Sequence, residues 1–302
     1  MSTARVIKPV LVTDEVLISS NVPETDYAEW NSGTSYSVGS RVIRTSSHKI
    51  YEAVLGGVDS TPPEQAIGLA TPRWIEVGPT NRWSMFDQHV STETAMSGAI
   101  VIVLRPGIVD SLGLVGLYGS RVTATMTHNG EAVWTDTKNL DGTELTGWYD
   151  YWYKGFDQVT QAVFNNLPPY VNGEITVTIE GDGTVSCGAF LVGSSYAIGK
   201  VRVNPTIELT DYSVKSTDEY GITKFVQRQH ARRLEVGIII SADRVDAAFD
   251  LVASVWGPAL WVMHDDDKRL RIMTVYGWRA LLTVTLPYID YSLCTLQVQG
   301  LT

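Results

Sequence analysis

"SRVTATMTHNGEAVWTDTK", residues 120–138, alternates apolar and polar side chains, pivots on Asn129-Gly130, and alternates again. Asn-Gly suits the two-residue turn whose central residues both take positive φ, and a period of two gives each strand one inner and one outer face. The stretch reads as a β-hairpin. Upstream, "GAIVIVLRPG" (98–107) is a continuous apolar run, fit for a strand covered on both faces. Downstream, "GEITVTIEGDGTVSCGAFLVG" (173–193) points Ile175, Val177 and Ile179 one way; Gly181-Asp182-Gly183 reads as a turn, after which Val185, Cys187, Ala189 and Leu191 return. Short strands with turn signals at this spacing predict a β-sandwich over 81–204.

The flanks differ from this centre. Residues 1–26 read as an extended arm, with strand-like apolar pairs broken by Pro9 and Pro23. Residues 27–80 lack helix signals. Short alternating pieces at Arg41–Arg44 and Lys49–Val54 sit between Gly, Ser and Pro clusters, and Pro62-Pro63 keeps the long connection 56–74 out of any strand. After Pro205 the texture becomes α+β. Ser241 is placed to cap one helix, Asp243 suits its first turn, and Val245, Ala248, Phe249, Val252 and Val255 recur at helical spacing until Gly257-Pro258 stops it. "ALWVMH" (259–264), "RLRIMTVYGW" (269–278), "ALLTVTLP" (280–287) and "LCTLQVQGL" (293–301) read as strands. The fold class is therefore mainly β: a small β module, a central sandwich and a C-terminal α+β region with one main helix.

The 302 residues are 44% apolar and 19% charged, enough for real cores in two or three domains. Nine Trp and fourteen Tyr against six Phe favour β structure and contact surfaces. A formal charge of −10 repels phosphate backbones, which argues against nucleic-acid binding. Neither a polybasic run nor an apolar stretch of bilayer length points to membrane insertion. The opening residues lack the pattern of a signal peptide, and Cys187 and Cys294 read as separate buried thiols of a protein made in a reducing compartment.

A search for chemistry returns little. No nucleophile elbow, phosphate loop or dinucleotide fingerprint occurs, no histidines pair at metal-ligand spacing, and no cofactor or enzymatic activity is expected. His264 with Asp265, Asp266 and Asp267 is the one dense ligand set, and it reads as a solvated hairpin tip rather than a metal site. In "GWYDYWYKGF" (147–156), Trp148 and Trp152 share one strand face with Asp150, while Tyr149, Tyr151 and Tyr153 share the other. One face belongs to a core; the other is open to a subunit contact or to a sugar.

Two resemblances emerge from these residues. Trp30, Tyr36, Gly39, Val42, Tyr51 and Trp74 stand at a spacing that resembles small chitin-binding carbohydrate-binding modules, with Ser40 where that family has Asp. The resemblance implies sugar contact by Trp30, Tyr36, Tyr51 and Trp74, to which Trp148 and Trp152 add a further candidate surface. Size argues otherwise for the first four: about fifty residues cannot build a large aliphatic core, so big aromatics must supply it. "PTNRWSMFDQHVS" (79–91), "VDSLGLVGLYGSRVTATM" (109–126), "LPPYVNGEITVTI" (167–179), "VSCGAFLVGSSYAIGKV" (185–201) and "DYSVKSTDEYG" (211–221) together resemble tailed-bacteriophage virion proteins. That resemblance implies a structural tail protein near the tip or baseplate, with a galactose-binding-like sandwich at its centre. The partners then expected are other phage tail proteins, copies of the chain in three-fold or six-fold symmetry, and host surface polysaccharide. A virion-borne or free carbohydrate-binding or glycan-degrading protein is the alternative.

Overall fold

The computed structural model describes residues 2–67, 71–87, 89–141, 158–202, 204–265, 271–285 and 290–301. In chain order, β1 (Thr3–Pro9) and β2 (Leu17–Ser20) precede a small module. The module holds β3 (Ser35–Tyr36), β4 (Arg41–Arg44), β5 (Lys49–Ala53), β6 (Gly57–Val58), the one-turn helix α1 (Pro63–Ala66) and β7 (Trp74–Pro79). Then come β8 (Thr94–Leu104), β9 (Ser111–Val115), β10 (Arg121–His128), β11 (Glu131–Asn139), β12 (Gln161–Phe164), β13 (Glu174–Cys187) and β14 (Ala189–Val201). The last third comprises β15 (Thr206–Asp211), β16 (Val214–Thr217), β17 (Thr223–Val226), β18 (His230–Ser241), the helix α2 (Val245–Ser254), β19 (Ala259–Val262), β20 (Thr274–Thr285) and β21 (Tyr291–Gly300). The chain is mainly β, as its composition and alternation imply.

The hairpin that opened the reading joins β10 to β11, and Asn129 and Gly130 take φ of 53° and 85°. On β10, Val122, Ala124 and Met126 are fully buried, while outward threonines pair across strands at Thr123–Thr137 and Thr125–Thr135. β11, β10, β13, β8 and β2 form one sheet, and its inner face packs on β12, β9 and β14. Ile100, Ile102, Leu114, Phe164, Ile179 and Phe190 belong to the shared core, so the centre is a two-sheet sandwich.

Two strand readings change here. β8 is covered on one face rather than two: Ile100, Ile102 and Leu104 are buried, whereas Val101 and Val103 are half-buried. Gly181-Asp182-Gly183 is not a hairpin turn. β13 runs straight through it against β8, with Glu180 opposite Ala99 and Thr184 opposite Ser97, so the glycine-bearing insertion is a bulge. A Cβ on Gly181 would lie 2.9 Å from Val185 Cγ1 and 3.2 Å from Gly119 Cα. Glycine lets the β9–β10 connection pass close by, and Val185 and Cys187 re-enter the core beyond it.

The sandwich and the C-terminal region are not separate at 204/205. The first half of β14 pairs with β9, its remainder pairs with β1, and Lys200–Val201 pair with Ile239–Ile238 of β18. Neighbour by neighbour, β14, β1, β19, β20, β21 and β18 return to β14 and close an antiparallel barrel. Val6, Ile198, Val236, Ile238, Trp261 and Leu296 share its core with Val245, Ala248 and Val252 of α2. Trp261 Nε1 donates to Gly277 O at 3.0 Å. Closure demands tight approach: a Cβ on Gly193 would sit 2.0 Å from Lys8 O, and one on Gly277 2.0 Å from Gln299 O.

The lead-in 1–26 is correspondingly no free arm. Ala4, Val6 and Ile7 of β1 are fully buried between β14 and β19, and β2 adds an edge to the sandwich sheet. Its partners lie some two hundred residues away, where no local pattern signals them. Ser241 also departs from expectation. A 3-10 turn at Ala242–Arg244 precedes α2, and the Ser241 side chain makes no capping bond. Phe249 is turned outward and half exposed instead of completing the apolar stripe. "RLRIMTVYGW" and "ALLTVTLP" prove to share one strand, β20, bulged between Arg279 and Leu281. Cys187 and Cys294 are buried free thiols.

Candidate functional site

Three places were weighed as functional: the module, its junction with the sandwich, and the surface of the barrel. In the module, β4, β5 and β7 form a sheet in which Tyr51 lies opposite Val42 on one side and Glu76 on the other. Alternation sends Val42, Tyr51, Ala53 and Trp74 to one face, where Trp30 and Ala66 cover them. Tyr51 and Trp74 are 1% and 2% exposed, and Trp30 is 9% exposed. Tyr36 meets Trp74 edge to face at 5.2 Å and accepts the Asn31 N–H at 2.8 Å. Arg44 lies 5.2 Å over the Trp30 ring and forks onto Glu64 at 2.9 and 3.2 Å. Those bonds from Glu64 raise the Arg44 guanidinium. Burial pushes the Glu64 carboxyl up, and its bonds from Arg44 outweigh that and hold it below its ordinary value.

Trp30, Tyr36, Tyr51 and Trp74 are thus brought together, but as a core. This corrects their assignment as sugar-stacking residues: Trp30, Tyr51 and Trp74 have no open face left for a pyranose, and Tyr36 is tied down by Trp74 and Asn31. Trp148 and Trp152 lie outside the described residues. What the module does present is a shallow depression of ≈ 500 Å³ lined by Leu55, Gly56, Asp59, Thr61, Ala66, Thr71 and Arg73. Arg73 is anchored there by the carbonyls of Gly56 and Val58, at 2.6 and 3.1 Å.

At the junction, His48 holds positive φ (56°), which its place in a tight turn of the β4–β5 connection requires. Its ring stacks on Trp83 at 4.1 Å, with Nδ1 3.0 Å from Glu24 and Nε2 2.9 Å from Asp14. Glu24 also accepts from Thr80 Oγ1 at 2.9 Å. The lead-in, the module and its exit therefore meet at one polar clamp that sequence reasoning missed, because its members are spread from residue 14 to residue 83.

His264 is not part of a solvated tip. It is 3% exposed, with Nε2 2.8 Å from Thr274 Oγ1, because barrel closure brings β20 over it. Asp265 accepts the Thr3 N–H at 3.1 Å and faces Arg5 at 3.8 Å, and Asp266 and Asp267 lie outside the described residues. Among the described residues, no group of three or more His, Cys, Asp and Glu is arranged to hold a metal.

The barrel surface holds the feature that stands out. β15 pairs with the first half of β18, and beyond Asp211↔His230 the ribbon continues as β16–β17 to a turn at Asp218–Gly221. Asp218 fixes that turn, accepting the N–H of Tyr220 and of Ile222 through its side chain. Every residue from Val214 to His230 is exposed, including Tyr220 at 83% and Phe225 at 64%. The sequence signal was there: charged turns interleaved with Tyr, Ile, Phe and Val in 206–230, with no matching run to pack against.

Neither a family model nor a curated protein matches this chain. The functional reading therefore rests on the residues and their arrangement.

Proposed function

We propose that this chain is a structural component of a bacteriophage tail, in the tip or baseplate region, that assembles with copies of itself and with other tail proteins. The observation that carries this reading is the ribbon 206–230, an unsupported two-stranded extension rich in exposed apolar side chains on an otherwise closed barrel. Such a ribbon is marginal on its own and gains order only by packing on another surface. The sequence resemblance to tailed-phage virion proteins, which extends from residue 79 to the C-terminus, supplies the setting. Immunogold labelling of purified phage particles with an antibody against the chain tests it: label at the distal end of the tail is expected, and particles free of label overturn the reading.

One observation favours a second role, contact with host surface polysaccharide. The depression beside Arg73 offers Asp59, Thr61 and Thr71 to sugar hydroxyls, although the aromatic rings of the module are turned inward. Titration of the full chain with oligosaccharides, compared with Thr61→Ala and Asp59→Ala, checks it. Binding unaffected by both substitutions excludes this depression.

A further inference from the structure

We infer that the ribbon 206–230 of one copy docks on the exposed face of α2 in a second copy, so that the chain associates head to tail. This rests on the self-assembly part of the reading above. The three aromatics Tyr212, Tyr220 and Phe225 are 48%, 83% and 64% exposed. At about 150–250 Å² per aromatic side chain, they alone offer roughly 400 Å². Leu209, Val214, Ile222 and Val226 extend the same surface. The ribbon therefore approaches the ~800 Å² that each partner gives to a standard interface.

The occupant follows from charge and from reach. The ribbon carries Lys215, Lys224 and Arg228 among its apolar residues, all exposed and without an ion pair among the described residues. The exposed side of the helix and its leading turn carries Asp243, Asp246 and Asp250, also without ion pairs there, beside outward-facing Phe249; Arg244 is the one cation among them. An apolar, basic ribbon thus matches an apolar, acidic helix face on the same chain. They cannot meet within one copy. β18 separates them: the ribbon leaves its His230 end, and the leading turn of α2 follows its Ser241 end. Eleven residue steps of extended chain are about 37 Å, and the ribbon projects a further ~24 Å in the opposite direction. A surface and its complement at opposite ends of one molecule join copies heterologously, which gives a ring when the rotation closes and a filament when it does not.

The test uses the full chain. Sedimentation should show an oligomer that the K215E/K224E/R228E variant weakens by about tenfold or more in Kd, a change of about 1.4 kcal/mol. D243K/D246K/D250K should weaken it similarly, and mixing the two variants should restore association. For a direct contact, Phe225→Cys and Phe249→Cys chains are mixed and oxidised; the native thiols are buried and do not compete. A disulfide-linked pair that forms only in the mixture is expected. A monomeric wild-type chain, no rescue on mixing, or equal cross-linking of Phe225→Cys alone would overturn the inference. An oligomer that ignores both variants yet is present in tails refutes the docking and spares the tail reading; association through the ribbon by a chain absent from particles does the reverse.

Discussion

Trp74→Ala separates a core ring from a sugar platform. Trp74 is 2% exposed, closes the sheet face formed with Val42, Tyr51 and Ala53, and packs its ring against Tyr36. Truncating a buried Trp costs about 3–5 kcal/mol through lost burial and the cavity left behind. Domains hold roughly 0.05–0.15 kcal/mol of stability per residue, so a module of some fifty residues has only about 3–8 kcal/mol to lose. The substitution should therefore unfold most of the module while leaving sandwich and barrel intact, because their cores contain none of its rings. Hydrogen exchange read by mass spectrometry should show protection lost over 27–80 and kept over β8–β14 and β18–β21. Unchanged protection in the module together with lost oligosaccharide binding would refute the reasoning and make Trp74 a binding residue.

Three further outcomes follow. His48→Ala removes the stack on Trp83 and the contacts to Glu24 and Asp14, so proteolysis near 78–82 should accelerate while the barrel's melting is unchanged; unaltered cleavage contradicts the clamp. Gly193→Ala forces a methyl against Lys8 O and should cost about 3 kcal/mol or more in denaturant unfolding, since neither backbone can move without breaking the β1–β14 ladder. Burial pushes the Cys187 thiol from 9.0 to about 12 and the Cys294 thiol from 9.0 to about 11. Raised folded values mean that this contribution to stability is complete below pH 9 and is lost as pH climbs toward 11–12; thiol reagents should label neither cysteine in the native chain near neutral pH.

What was legible in the sequence was local. Asn129-Gly130 with its flanking alternation encodes a hairpin within twenty residues, and the Val245–Val252 spacing encodes a helix, because both patterns repeat over neighbouring positions. The aromatic core of the module was legible from size alone. Barrel closure was not: β1 finds β14 and β19 across the length of the chain, and only Gly193 and Gly277, glycines inside otherwise good strands, hinted at close backbone approach. Gly181-Asp182-Gly183 misled because a glycine-rich bulge and a glycine-rich turn share a composition. The polar clamp at His48 joins residues whose meeting depends on how the module sits on the sandwich, which no periodicity records.

The copy number of this chain in purified phage particles, measured by quantitative mass spectrometry against isotope-labelled peptides, tests the central claim most directly. The account predicts a fixed stoichiometry that is a multiple of three and travels with the tail fraction. A chain absent from particles and stable as a monomer in solution would contradict it, and the carbohydrate-binding alternative would take its place.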